Sequence, residues 1–316
     1  MTMMVAVDDA QKLSFKRPIA DGDTVIVYER HDCMRAVTVS PGSELQNRFG
    51  VFKHSDWVGK PFGSKVFSSK GGFVFLLAPT PQLWTLVLSH RTQILYLPDI
   101  SFVVSYLEIV PGCVVLESGT GSGSLSTSLA RAVAPSGHLF TFDFHEQRAS
   151  SARADFQRNG LTSLITVTVR DIQGEGFPKE HEGSVDAVFL DLPQPWLAIP
   201  SASRCLKPDA VLCSFSPCIE QVQRTCETLR SSFTDIRTFE VLVRSYEIKE
   251  HCFAKSVSEE DGSPVGPPPQ KRKQSTLPAN KSEKTESNFS VMAKPCNTAR
   301  GHTGYLTFAR LTVLSN

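Results

Sequence analysis

One segment limits the fold of this 316-residue chain more than any other: Val114-Val115-Leu116-Glu117-Ser118-Gly119-Thr120-Gly121-Ser122-Gly123-Ser124. An apolar run passes into alternating glycines and then into helix-compatible residues, the pattern of a buried strand, a tight turn and a helix. Glycines let the backbone turn sharply and approach a ligand closely, while the helix start offers unpaired N–H groups and the positive end of a dipole. A dinucleotide fingerprint, G-x-G-x-x-G, requires glycine at Ser124. The chain instead reads E-x-G-x-G-x-G from Glu117 to Gly123, a spacing that favours S-adenosylmethionine over NAD. A flexible surface loop shares this composition. The surroundings argue for the site, because 137–143 reads as a second strand ending in Asp143, about twenty residues on, where a ribose-binding acid is expected.

Beyond residue 99 apolar periodicities alternate between strand and helix. Helices are expected over 100–109, 122–134, 145–159 and 219–229, and strands over 164–169, 185–191 and 210–215. Repeated βα units imply an α/β fold, a parallel sheet with helices on both faces and ligands at the carboxyl ends of the strands. Residues 236–248 read as one long strand, and 303–311 as another. Between them, 250–300 is rich in Ser, Pro, Lys and Glu and reads as a disordered insertion interrupting a hairpin. Its Lys271-Arg272-Lys273 run suits either a nuclear localisation signal or a solvated charge cluster.

Short β-rich runs separated by turn residues occupy 21–88 and suggest a small β-barrel. Its loops carry Lys53, His54, Lys60, Lys65, Lys70, His90 and Arg91 with Trp57 and Trp84 interleaved, which suits a nucleic-acid surface or, equally, solvated charge around core aromatics. Domains are therefore expected at 1–88, at 89–249 with 301–316, and at the 250–300 insertion. Net charge discriminates nothing, with 33 Lys and Arg against 32 Asp and Glu. Eight scattered cysteines without a C-x-x-C pair read as reduced and intracellular, and no secretory signal, membrane span or metal-ligand set is visible.

The strand ends align Glu117, Asp143, Asp171 and Asp191 along one edge of the sheet. A carboxylate beside the glycines accepts hydrogen bonds from an amine or amide, Asp143 suits ribose hydroxyls, and Asp171 suits an adenine amino group. Helix-capping or turn acids are the ordinary alternative for each. Asp191-Leu192-Pro193-Gln194-Pro195-Trp196 places a stiffened acid near a flat ring, which suits a planar, amine-bearing base; a Pro-rich loop with a core Trp has the same sequence. An acid accepting from the amino group enriches the conjugated ring nitrogen and stabilises charge developing during methyl transfer.

Several segments resemble the catalytic subunits of the eukaryotic tRNA (adenine(58)-N1)-methyltransferase family: 59–65, 79–86, 90–96, 117–124, 189–191, 215–225 and Gly301-His302-Thr303-Gly304-Tyr305-Leu306-Thr307-Phe308. The resemblance implies an N-terminal β-barrel that helps hold tRNA, followed by a Rossmann-like class I S-adenosylmethionine-dependent methyltransferase domain. It implies cofactor contacts at Leu95, Ser122, Gly123, Ser124, Asp143, Arg148, Asp171, Ile172 and Asp191, beside Glu117, Gly119 and Gly121 of the glycine motif. It makes Asp191 catalytic toward the T-loop adenine and gives Asp143 where many members carry Glu. It also implies an enzyme working with a non-catalytic tRNA-binding subunit, two of each in a heterotetramer, while the Lys271-Arg272-Lys273 run makes the nucleus the expected location. A silent, RNA-binding partner chain and a methyltransferase acting on a small molecule or protein are the rival readings; the intact glycine motif and Asp191 oppose the first.

Overall fold

The computed structural model describes residues 14–252, 289–298 and 301–312. The chain divides into two compact units, Met1–Val241 with His302–Asn316, and Leu242–Gly301.

The first unit begins with β1 (Thr24–Arg30), β2 (Cys33–Thr38), β3 (Glu44–Asn47), β4 (Gly50–Lys53), β5 (Ser64–Phe67) and β6 (Phe73–Leu77). An antiparallel sheet runs β2-β1-β6-β5, and among the described residues β3 pairs only with β4. The barrel expected over 1–88 is thus not closed among the described residues: alternation identifies strands, but β3 and β4 satisfy each other instead of bridging the sheet edges. Sheet and hairpin share one core that includes Val25, Val27, Phe52, Trp57, Val66 and Leu76. Trp57 and Trp84 are buried, His54 stacks on Trp57 at 4.2 Å, and Arg91 is ion-paired with Asp155. Of the two readings left open for this region, the aromatics follow the second: Trp57 and Trp84 are core, while Lys53, Lys65, Lys70 and His90 are exposed.

Helix α1 (Pro81–Val87) starts where Thr80 Oγ1 accepts from Leu83 N and Pro81 occupies the first turn. Its Trp84 packs with Leu88 and Ile94 against Ala36 of β2. The remaining elements are α2 (Leu97–Tyr106), β7 (Val114–Ser118), α3 (Ser124–Val133), β8 (His138–Asp143), α4 (Glu146–Arg158), β9 (Ile165–Val169), α5 (Ile172–Glu175), β10 (Val185–Asp191), α6 (Ile199–Cys205), β11 (Leu206–Ser216), α7 (Ile219–Leu229), β12 (Phe233–Glu240), β13 (Tyr246–Cys252), β14 (Phe289–Pro295) and β15 (Tyr305–Leu311). Helix α2 begins earlier than its apolar period suggests because Pro98 fits a first turn, where no N–H is needed.

The central sheet runs β12-β15-β11-β10-β7-β8-β9. Strands β11, β10, β7, β8 and β9 are parallel, and β15 is antiparallel to both β11 and β12. Alternate residues feed two cores on opposite faces: Val115 and Phe189 on one, Leu116 and Val188 on the other. This is a Rossmann-like sheet. The chain winds one way from β7 to β9 and the other way through β10 and β11, so its switch point lies between β7 and β10, where such folds bind ligands.

The strand expected over 236–248 is broken, because Glu240 pairs with Tyr305 at the end of β15 and the ladder stops there. Chain 242–301 thus interrupts the β12–β15 hairpin. In the second unit β13 and β14 pair over seven residues, so the ends of the expected disordered insertion are ordered strands. Residues 253–288, with Lys271-Arg272-Lys273, lie outside the described residues, as do 1–13.

Candidate active site

Strand β7 delivers the chain to the glycine turn. Gly119 has φ +105, and a Cβ there would lie 2.3 Å from the Asp191 carbonyl oxygen, so only glycine lets the end of β10 approach this closely. Gly119 N and Thr120 N both donate to Phe142 O, at 2.9 and 3.2 Å, and the Thr120 and Thr141 hydroxyls meet at 2.7 Å. The turn is thereby fastened to β8 on one side and stacked on β10 on the other.

A cleft of about 350 Å³ opens at the carboxyl ends of these strands, within the usual range of small-molecule sites. Of the residues expected to form the site, Gly119, Gly121, Asp143, Arg148, Asp171, Ile172 and Asp191 line it. A small recess bounded by the same glycines and Asp191 is lined by the others: Leu95, Glu117, Ser122, Gly123 and Ser124. All twelve therefore converge on one place, but several have duties the sequence did not suggest. Ser122 Oγ accepts from Arg91 N and Thr92 N, and Ser124 Oγ donates to Leu95 O. Asp171 caps α5 by accepting from Gln173 N.

Asp143 lines the cleft and also carries structural bonds. Its carboxylate accepts from Gly121 N at 3.0 Å and His145 N at 2.9 Å, and Arg148 donates to it at 2.8 Å. Both oxygens are thus engaged in holding the glycine turn and α4 at the edge of the cleft. Trp196 is not among the residues that line the cleft; it is half-buried, with the Arg224 guanidinium 5.2 Å from its ring.

Glu117 is buried deeper than the other acids, with Ser126 Oγ donating to it at 2.5 Å. Burial pushes its carboxyl up to about 7, against hydrogen bonds from Ser126 and Thr141, and the nearby Asp191 and Asp143 charges add to the rise. Burial likewise pushes Asp191 up to about 7. Two crowded carboxyls under a glycine turn make a recess that gains stability from a positive charge. Apolar walls at Phe142, Phe144, Ile172 and Leu192 complete a cleft suited to a cationic, ring-bearing cofactor. The residues present therefore fit S-adenosylmethionine.

Positioning residues were missed because they act across the chain. Arg91 donates to Ser122 O at 3.0 Å and to Asp155 at 2.8 Å, tying the glycine turn to α4. Gln173 Oε1 accepts from Gln194 N at 2.7 Å and Gln221 Nε2 donates to Pro193 O at 2.9 Å, clamping the Asp191 loop from both sides. Only the presence of Arg91 and Gln221 in segments with family resemblance signalled them. Arg91→Ala is expected to weaken cofactor binding about tenfold in calorimetry and to cost about 2 kcal/mol of stability, the value of a charge-assisted hydrogen bond. Arg91→Lys should recover only part of the affinity, since an ammonium lacks the planar fork; full recovery would show that charge alone suffices.

Residues 72–311 match the family described as tRNA methyltransferase complex GCD14 subunit. The tRNA (adenine(58)-N(1))-methyltransferase catalytic subunit trmt61a of Dictyostelium discoideum is 44% identical over 307 residues, covering 92% of this chain and 96% of its own length. Among solved structures, a SAM-dependent O-methyltransferase from Thermotoga maritima aligns with TM-score 0.72 at 27% identity, covering 95% of this chain and 97% of its own. The tRNA (m1A58) methyltransferase TrmI from Aquifex aeolicus shares the fold, with TM-score 0.67 at 22% identity, covering 94% and 99%. With three quarters of its length matched and the glycine turn, strand-end acids and switch-point cleft in place, this chain belongs to the tRNA methyltransferase complex GCD14 subunit family.

Proposed function

We propose that this chain is the catalytic subunit of a tRNA (adenine(58)-N1)-methyltransferase, transferring a methyl group from S-adenosylmethionine to N1 of the T-loop adenosine. One observation carries the reading: Asp191, raised to about 7, stands at the switch point against the glycine turn, beside a cleft shaped for a cationic cofactor. A silent RNA-binding subunit has no need of that arrangement.

Bound in the cleft, S-adenosylmethionine supplies a methyl group already activated on a sulfonium, so the chain needs no covalent nucleophile. Gly119 and Gly121 let the turn close on Asp191 and Thr92 at the wall of the cleft, and Ile172 and Phe142 offer apolar contact. The Asp191 carboxylate accepts an N–H from the adenine amino group. Electron density then rises at N1, and the positive charge that the base acquires with its new N–C bond is stabilised where it develops. Reaching N1 requires the base to leave its stack and pairing in folded tRNA.

The working unit is a heterotetramer of two such chains and two non-catalytic tRNA-binding subunits, with residues 1–88 helping to hold tRNA. The family description as a complex subunit supports assembly. So does the β13–β14 ribbon, whose register puts Tyr246, Ile248 and Val291 on one face and the Glu247–Lys249 ion pair on the other. Ile248 is 73% and Val291 66% exposed. A two-stranded ribbon is at best marginally stable alone, and a face of exposed apolar side chains around the single acid Glu250 suits a protein partner. The Lys271-Arg272-Lys273 run supports a nuclear location.

Incubating the chain, with and without its partner subunit, with tRNA and labelled cofactor, then mapping the modified nucleotide, tests the proposal. Label at N1 of the T-loop adenosine is the expected result. Label elsewhere, or none with the partner present, overturns it.

A further inference from the structure

We infer that the outer face of the β5–β6 end of the N-terminal sheet is a stacking platform for unpaired nucleotides of the RNA substrate, separate from the Asp191 cleft. The inference rests on tRNA as substrate and names the surface that grips it outside the reacting base.

Register creates the platform. Lys65 pairs with Phe75 and Phe67 with Phe73, so alternation sends Val66, Val74 and Leu76 into the core and leaves Lys65, Phe67, Phe73 and Phe75 on the opposite face. Neighbouring rings continue across the sheet: Phe67 to Phe73 at 6.3 Å, Phe73 to Phe75 at 5.8 Å, and Phe75 to Tyr28 at 6.4 Å. Phe67 is 63% and Phe73 43% exposed. Two adjacent exposed phenylalanines on a well-formed sheet do nothing for the core behind them, and such a patch marks a binding surface.

Charge selects the occupant. The Lys65 ammonium lies 3.7 Å from the Phe73 centroid and 5.3 Å from that of Phe67, a cation set among the rings. Lys70 is exposed on the β5–β6 turn. Arg48 lies over Phe49, which touches Gly72 of the same turn, and is 3.9 Å from the Glu29 carboxylate. Residues 48–77 carry Arg48, Lys53, Lys60, Lys65 and Lys70 against the single acid Asp56. Protein interfaces are depleted of lysine at their centres. Flat rings with interleaved cations instead fit a strand that presents bases and phosphates together. The bases must be unpaired, because a ring can stack only on a base face that its neighbours have vacated.

The test uses the complex of this chain with its partner subunit and measures tRNA binding by fluorescence anisotropy. Phe67→Ala with Phe73→Ala should weaken tRNA binding roughly ten- to a hundredfold, the scale of losing one or two base stacks, and raise KM for tRNA to match. Cofactor affinity and kcat at saturating tRNA should stay within twofold. Phe67→Trp with Phe73→Trp should retain parental affinity, and Lys65→Gln should lower the salt dependence of binding by about one counterion. Should the alanine pair melt early, the Trp pair and Lys65→Gln decide. Unchanged affinity in the alanine pair, equal loss in the Trp pair, or disassembly of the complex on size exclusion would each overturn the platform, the last identifying a protein interface. If the parental complex methylates tRNA and the alanine pair binds as tightly, the platform alone fails. If the parental complex binds tRNA through these residues without methylating it, the catalytic reading alone fails.

Discussion

Asp191→Ala is expected to lower kcat, at saturating tRNA and cofactor, by about 10²–10³-fold, the usual effect of removing one preorganised group aimed at developing charge. Cofactor affinity should fall less, because Asp191 is one wall of a cleft that many residues line. Asp191→Asn separates geometry from charge. Its amide oxygen still accepts from an adenine amino group but carries no charge to offset the cationic product, so activity should lie between alanine and wild type. Near-wild-type methylation by the alanine variant would remove Asp191 from the chemistry.

The same residue predicts a pH dependence with a definite sign. Asp191 and Glu117 both sit near 7 in the ligand-free chain, and a cationic cofactor prefers their ionised forms. The kcat/KM for cofactor should therefore rise through about pH 7 and level off above it. Because the two acids repel each other, the inflection belongs to the pair, and Asp191→Asn should move it downward by freeing Glu117 of one like charge. Stability runs the opposite way. Folded values raised above the unfolded ones mean that this contribution is complete below about pH 4 and is lost as pH climbs through about 7. Cofactor should oppose that loss in a thermal melt.

What could be read from sequence was whatever a few consecutive residues determine. The strand–glycine–helix run, the acids at strand ends and the βα alternation depend on local period and turn chemistry, and each sits where those rules put it. The clamps around the site depend on pairings between distant residues: Arg91 with Asp155, Gln173 with Gln194, Gln221 with Pro193. No local pattern marks an arginine or glutamine as a clamp. Closure of the N-terminal sheet failed for the same reason, since alternation says that β3 and β4 are strands and nothing about which neighbour they choose. Composition could not choose between core and surface for the aromatics: Trp57 and Trp84 lie in the core, and the exposed rings of the N-terminal sheet are Phe67 and Phe73, whose facing follows from register.

The two inner glycines should respond differently to the same change. At Gly119 a new Cβ would meet the Asp191 backbone oxygen at 2.3 Å, with φ at +105, a region L-residues seldom adopt. Backbone cannot rotate away, so β7 and β10 must separate just where the cleft needs them together. Gly119→Val is therefore expected to abolish measurable cofactor binding in calorimetry and to cost about 3 kcal/mol of stability, combining strain with overpacking. At Gly121 the nearest atom to a new Cβ is Thr92 Oγ1, at 2.6 Å, and φ is +52, inside the left-handed region that Asn tolerates. A side-chain hydroxyl can move. Gly121→Ala should thus weaken cofactor binding by about tenfold, the scale of a strained left-handed residue, and Thr92→Ala in the same chain should recover part of the loss. Equal tolerance at both positions would mean that the turn is loose and that the approach of β10 does not shape the cofactor cleft. A graded response, with Gly119 intolerant and Gly121 rescued through Thr92, ties binding to the Gly119–Asp191 contact, the contact that places the proposed catalytic carboxylate.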